Sequence, residues 1–169
     1  MGDQSVTEGS PLDSETEFET DSLLGIIADG VVGTAGGLVG ASMMTVVLLV
    51  AESVGAFSPA SFGALATLVG LDGVVPTVAA GYVIFLLGGM VWPLLFASLT
   101  AYLPGERWPV TGVFFGTALW TGFVLAFYDG YTGVGLVLYV LLTLVAHWVY
   151  GASLGLVFEY FSNRPDTLV

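Results

Sequence analysis

The chain has 169 residues, of which 56% are hydrophobic and 9% charged, and its formal net charge is −12 because fourteen acids oppose two arginines and no lysine. This composition indicates a single-domain integral membrane protein and excludes a water-soluble domain with a closed core. The absence of cysteine excludes disulfides and cysteine nucleophiles, and the acidic balance excludes nucleic acid as an electrostatic partner.

The N-terminal segment, residues 1–22, predicts a disordered acidic tail. It contains seven of the fourteen acids and has Phe18 as its only aromatic residue. It therefore cannot bury enough apolar area to offset the entropy of the chain. No positively charged stretch precedes an apolar core, so a signal peptide is not expected. At the other end, residues 162–169 predict a short C-terminal tail.

Five charge-free stretches follow the acidic segment, and four of them are long enough to cross a bilayer, which takes about 20 residues. The stretch 53–71 contains Pro59 and leaves only a dozen residues after it, so it predicts an interfacial or re-entrant helix between spans one and two. The predicted fold is all-α, a polytopic membrane four-helix bundle within residues 23–161. Its spans are expected at about 24–51, 77–103, 110–128 and 134–160.

The two arginines predict the orientation of this bundle. With four spans, Arg107 and Arg164 lie on the same side of the membrane as the N-terminus. The positive-inside rule then predicts a multi-pass protein of the cell membrane with both termini in the cytoplasm. A fifth span would put both arginines outside, against that rule.

Glycines spaced three or four residues apart predict close helix packing in three spans. Such spacing places small residues on one helical face, where a neighbouring backbone can approach closely in lipid. The packing can lie within one chain or at a homodimer seam. In span two, Pro93 predicts a kink next to Gly88 and Gly89 because proline removes a backbone hydrogen bond. The predicted packing glycines are Gly33, Gly37 and Gly40 in span one, Gly112 and Gly116 in span three, and Gly151 and Gly155 in span four.

His147 is the only histidine, so one chain cannot assemble a multi-histidine metal site. It shares a slowly rotating stripe of span four with Gly151, Gly155 and Glu159. Three roles stay open for it: a neutral ring hydrogen-bonded to Thr143, Thr117 or Thr121, a ligand-binding or proton-relay group, and a haem ligand paired with Met90. The letters GASLG at 151–155 match a serine-nucleophile pattern, but that pattern requires a strand-to-helix turn and here lies within a helix.

Further candidates lie close to this histidine. Trp92, Trp120 and Trp148 are expected at mid-bilayer, about 15–20 Å from the cytoplasmic end, where they form either a bulky core or the walls of a cavity. Tyr150 follows His147 on the same span. Asp29 and Glu159 are either carboxylates at the interface or neighbours that share a proton.

The segments GGMVWPLLFASL, YLPG, GVFFGTALWTGFVLAF and LVAHWVYGASLGLVFEYF, between residues 80 and 161, resemble an uncharacterised family of small four-span membrane proteins that is frequent in extremely halophilic archaea. The resemblance implies a fold and a membrane location, and no activity. Members often carry a second histidine early in span two, where Gly81 and Tyr82 stand here. A two-histidine cofactor site is therefore not expected.

These observations predict a membrane protein without catalytic chemistry. The leading hypothesis is an accessory or structural subunit that packs against a membrane complex, a respiratory one being a candidate, through its glycine faces. The alternative is a small transporter or proton-relay protein that uses Asp29, His147 and Glu159. A third hypothesis places a haem or quinone beside His147. The expected partners are the lipid bilayer and another membrane protein or a second copy of the chain.

Overall fold

The protein is represented by a computed structural model, which describes residues 11–71, 73, 75–99, 102, 104–105 and 107–163, with the side chains of 11–29 and 162 left out. The described residues contain helices and no strand. In chain order they form α1 (Pro11–Ser53), a 3-10 turn (Pro59–Phe62), α2 (Gly63–Leu68), α3 (Thr77–Leu99), α4 (Trp108–Ala126) and α5 (Gly133–Ser162).

Four of the helices are long and apolar enough to cross a membrane, which confirms the predicted all-α, four-span fold. The spanning parts are Gly30–Ser53, Thr77–Leu99, Trp108–Ala126 and Gly133–Phe161. The lengths and composition of these helices are those of a multi-pass membrane protein. The predicted short apolar helix between spans one and two is also present, at Pro59–Leu68.

The helix boundaries differ from the prediction at two points. α1 begins at Pro11, so residues 11–22 are helical where a disordered tail was predicted. Proline is favoured at the first helical position, and acids near a helix N-terminus interact favourably with the helix dipole. These preferences depend on the order of the residues, which the overall composition of the segment does not reveal. α3 ends at Leu99 and Tyr102 lies in a turn, so span two ends before the predicted residue 103. Residues 1–10 and 164–169, including Arg164, lie outside the described residues.

The helices pack in an open arrangement. α1 lies between α3 and α5, and α4 packs on α5. α3 and α4 face each other across a cleft, and side-chain contacts such as that of Phe96 with Phe115 join them beside it. The most deeply buried large side chains are Leu48, Phe96, Tyr139 and Leu154.

Glycine brings α4 and α5 into backbone contact. A Cβ on Gly112 would collide with the carbonyl of Gly151, and a Cβ on Gly151 would collide with the carbonyl of Gly112. Gly116 lies against the carbonyl of His147, and Gly155 against that of Trp108. Because lipid gives apolar helices little hydrophobic reason to associate, such close contacts are what hold the pair together. The glycines predicted on these two spans thus lie at one interface within the chain.

The glycines of α1 serve two neighbours, whereas a single face was predicted. Gly33 and Gly37 lie against α3, while Gly40 lies against the backbone of α5. Gly36, which the spacing did not single out, also faces α5. The reason is the position of α1 between two helices, which requires small residues over a wider arc than one helical stripe.

The short helical segment covers one end of the bundle. Phe62 and Ala66 are buried, whereas Leu68 is 81% exposed. The carbonyl of Phe62 lies directly on Gly81, so the segment follows the first turns of α3 and could not do so over a larger residue. Leu65 extends over the cleft between α3 and α4.

Aromatic clusters close both ends of the bundle. At the end where α4 begins, the ring of Phe96 lies 6.1 Å from that of Trp108 and 5.3 Å from that of Phe158. At the other end, rings from the short segment and from α4 contact one another within 6.1 Å, namely Phe57, Phe62, Phe123 and Phe127. Offset and edge-to-face contacts of this kind stabilise the ends without polar groups.

The α4–α5 interface predicts opposite effects for two glycine substitutions on the same helix. Gly151→Ala should lower the free energy of unfolding by about 1–3 kcal/mol, because its Cβ would overlap the α4 backbone. Gly135→Ala is the matched control, since a Cβ there meets no atom within 4 Å, and it should leave stability unchanged or slightly raised. Unfolding in mild detergent measures both. Equal stability of the two variants would contradict the backbone contact.

Candidate functional site: an apolar cleft beside His147

Pro93 leaves a backbone carbonyl in the middle of the bundle without its helical hydrogen bond. It lies inside α3 and has no backbone N–H, so the carbonyl of Gly89, four residues earlier, loses its helical partner. A buried carbonyl in a bilayer has no water to replace that bond. The hydroxyl of Tyr150 donates to it at 2.8 Å. Gly37 of α1 packs on the same carbonyl and would overlap it if it carried a Cβ.

His147 lies on α5 with 4% of its surface exposed. Its Nδ1 is 2.8 Å from the backbone carbonyl of Thr143, and a carbonyl only accepts, so Nδ1 carries the hydrogen. The edge of the ring meets Phe123, with centroids 4.7 Å apart. The other ring nitrogen, Nε2, makes no hydrogen bond within the described residues. In a neutral ring it is therefore an unused acceptor.

Two tryptophans of the predicted site tie α4 to α5. The indole of Trp120 on α4 donates to the hydroxyl of Thr143 at 3.0 Å, and the indole of Trp148 on α5 donates to the hydroxyl of Thr117 at 2.9 Å. Each threonine hydroxyl in turn donates to a carbonyl of its own helix. Trp120 and Trp148 therefore act as reciprocal interhelical links, and neither lines the cleft.

The cleft has a volume of about 340 Å³ and lies beside His147 and Tyr150 of α5. Trp92, the third predicted tryptophan, lines it and is 47% exposed, so the cleft is open sideways, where acyl chains of a bilayer would lie. A Cβ on Gly88 or Gly122 would meet no atom within 4 Å. The cleft has two facing walls. One is formed by Phe85, Gly88 and Trp92 of α3, and the other by Leu119, Gly122 and Phe123 of α4.

His147 stands at the middle of its span. The span of α5 is Gly133–Phe161, which places fourteen residues on either side of His147. At about 1.5 Å per residue, the ring lies about 21 Å from both ends of the helix. The unused Nε2 atom therefore belongs to a residue at the middle of the span.

Two of the three predicted relay residues, His147 and Glu159, lie far apart along the same helix. Glu159 lies twelve residues beyond His147 on α5, about 18 Å along the helix axis. Between them, Gly151 and Gly155 are covered by the backbone of α4. Asp29 belongs to α1, but its side chain lies outside the described side chains.

The arrangement also offers few ligands for a metal. Within the described residues, no group of three or more histidine, cysteine, aspartate and glutamate side chains could hold a metal ion. Met90, the predicted second haem ligand, is not one of the residues that line the cleft. What the site presents is one imidazole nitrogen in apolar surroundings.

Comparison with known proteins identifies the family of this chain. The model of a family of unknown function, DUF6789, matches residues 27–169. The chain belongs to this family. No curated protein and no solved structure matches it. The DUF6789 match covers all four spans and the cleft, and it extends well beyond the residues 80–161 that carried the resemblance. Membership assigns no activity, so function has to be argued from the site itself.

Sequence reasoning missed part of this site in the DUF6789 chain. Gly122 and Phe123 were not singled out, because a glycine that leaves space for a ligand looks the same in sequence as a glycine that packs. The link from Tyr150 to Gly89 had a usable signal, namely the four-residue offset between Gly89 and Pro93. That offset identifies the carbonyl that needs a donor, and only the fold identifies the donor.

The Tyr150 bond predicts a specific energetic coupling. Tyr150→Phe should lower the free energy of unfolding by about 1–2 kcal/mol, because the Gly89 carbonyl is left without a partner. In a Pro93→Ala background a backbone N–H is restored to that carbonyl, so the same Tyr150→Phe change should then cost clearly less. A double-mutant cycle measured by unfolding in detergent isolates this coupling. Additive effects of the two substitutions would show that the proline and the tyrosine act independently.

Proposed function

We propose that this chain is a non-catalytic accessory protein of the cell membrane that holds a small apolar molecule in the cleft beside His147. The observation that carries the proposal is the cleft itself, about 340 Å³ of apolar space with one unused hydrogen-bond acceptor at mid-span. That volume falls within the roughly 300–1,000 Å³ that is typical of small-molecule sites, which are mostly apolar and carry few polar groups.

The polar groups of the cleft support binding and not chemistry. The hydroxyl of Tyr150 is engaged by the Gly89 carbonyl, and Nδ1 of His147 is engaged by Thr143. A side-chain nucleophile needs an activating base within hydrogen-bond reach, and the residues that line the cleft offer no such pair. His147 lines the cleft among mostly apolar side chains. A single fixed acceptor is suited to orienting a bound molecule.

Any membrane-protein partner has to use a surface other than the glycine faces. Gly37, Gly112 and Gly151 contact neighbouring helices of the same chain, so the faces that suggested an accessory subunit or a homodimer seam are already covered. The accessory role proposed here therefore depends on the bound molecule. A partner subunit or second copy is proposed to meet the lipid-facing surface.

The proposed orientation places both termini in the cytoplasm. Arg107 directly precedes α4, at the bundle end where Trp108 stacks on Phe158 of α5 at 5.4 Å. Gly33, near the start of the α1 span, also contacts Phe158. The opposite end carries Glu52 and Asp129. This distribution supports a cytoplasmic location for the arginine end under the positive-inside rule.

Labelling in intact cells tests that orientation. The chain has no cysteine, so Asp129→Cys introduces a unique thiol in the exposed loop between α4 and α5. A membrane-impermeant maleimide should label it in intact cells, because the proposal places this loop outside. Tyr102→Cys, at an exposed position before α4, is the matched control; it keeps both arginines and should react only after the membrane is opened. The reverse pattern would invert the orientation.

A cleft-filling substitution tests the binding function. Gly122→Phe places a ring in the cleft, where the added Cβ meets no atom within 4 Å, so the fold should be kept while the bound molecule is displaced. Gly135→Phe adds the same ring at an open position of α5 outside the cleft and serves as the control. Each protein is purified in mild detergent, extracted with organic solvent and analysed by mass spectrometry.

Wild type and the Gly135→Phe variant are expected to retain an apolar small molecule at near-stoichiometric ratio, and Gly122→Phe is expected to lose it. Unfolding temperatures of the three proteins establish that they are folded. The proposal fails if folded wild type carries only bulk phospholipid, or if Gly122→Phe retains as much of the small molecule as wild type.

A further inference from the structure

The acceptor in the cleft restricts the chemistry of what can bind there. Nδ1 of His147 donates to Thr143, and in the opposite tautomer the Nδ1 lone pair would point at the carbonyl oxygen 2.8 Å away. Nε2 is therefore the acceptor of a neutral ring, and neutral is the form that apolar surroundings accommodate. A bound molecule has to present a hydrogen-bond donor to satisfy it.

The donor has to be uncharged, as the hydroxyl of an alcohol or phenol is. A protonated amine would bring a charge to mid-bilayer depth, where the described lining offers no carboxylate to pair with it. A carbonyl, ester or ether oxygen is itself an acceptor, so its lone pairs would repel the lone pair of Nε2. A hydroxyl can donate to Nε2. It gives up few hydrogen bonds on moving from the lipid into the cleft, because it is not bonded to water in the lipid.

The walls of the cleft favour an aromatic ring next to that hydroxyl. Phe85 and Trp92 on one side and Phe123 on the other supply aromatic surface, which prefers offset or edge-to-face contact with another ring. Gly88 and Gly122 leave space on both walls. On α3 the cleft extends from Ile84 to Trp92, eight residues or about 12 Å, and its open side lets a hydrocarbon tail leave into lipid.

We infer that the cleft binds a lipid-soluble phenol or quinol, whose ring lies between α3 and α4 and whose hydroxyl donates to Nε2 of His147. The inference rests on the proposed function and names its ligand class. It has a redox consequence, because a quinol carries the required donor and the corresponding quinone carries only acceptors. The cleft should therefore select the reduced member of such a couple.

Three matched probes test this selectivity: a decyl-substituted 1,4-benzoquinol, its benzoquinone and its dimethyl ether. They share ring and tail, and only the quinol has hydroxyl donors. Titration calorimetry in detergent under argon measures the Kd of each probe for wild type. The Kd for the quinol should be about tenfold lower than for either other probe, because only the quinol makes the hydrogen bond to His147. Gly122→Phe should bind none of the three.

The role of His147 is tested by His147→Phe, which keeps a ring and removes the acceptor, and by His147→Gln, which keeps an acceptor. His147→Phe should bind the three probes with equal affinity, and His147→Gln should restore part of the preference for the quinol. If His147→Phe does not fold, the comparison of quinol with dimethyl ether in wild type decides the question alone, because it leaves the protein unchanged.

The possible results separate the inference from the function on which it rests. Equal affinities of wild type for all three probes, abolished by Gly122→Phe, would overturn hydroxyl selection and leave the binding function standing. No binding of any probe, together with an empty organic extract, would overturn both. A Soret band on addition of haem to wild type, absent in His147→Phe, would overturn the inference in favour of metal ligation by Nε2.

Discussion

The bond between the Tyr150 hydroxyl and the Gly89 carbonyl is the constraint on which the arrangement of the bundle depends. Pro93 frees that carbonyl, and a bilayer offers it no water. The donor comes from α5 at 2.8 Å, while Gly37 of α1 packs on the same spot. α3 is thereby held by α1 and α5. The part of its face toward α4 that carries Gly88 and Trp92 becomes one wall of the cleft.

The opposite side of the site is fixed by small residues. Gly116 brings α4 onto the carbonyl of His147, and Gly112 meets Gly151 one turn further along. Two tryptophan–threonine bonds reinforce the same pair of helices. The imidazole is therefore held at a set depth and angle by a rigid α4–α5 pair, next to a cleft that stays open to lipid. A fixed acceptor beside an open apolar space is the arrangement on which the proposed binding of a small molecule rests.

Several features could be predicted from sequence because each depends on neighbouring residues only. The spans follow from the length of the charge-free stretches, and Pro59 is enough to shorten the second one. The glycine pairs on α4 and α5 follow from four-residue spacing, which puts two small residues on one face. The start of α1 was placed too late, because acid-rich composition suggested disorder while Pro11 and the following acids favour a helix start.

The sequence by itself determined that this is a four-span helical membrane protein with one histidine in its last span, since hydropathy and residue identity are local properties. Only the tertiary structure decided which partner each polar group has. Trp120 and Trp148 became interhelical links, and Trp92 became a wall of the cleft. The reason is that helices in lipid can rotate about their axes at little hydrophobic cost, and what sets the rotation is contact between residues far apart in the chain.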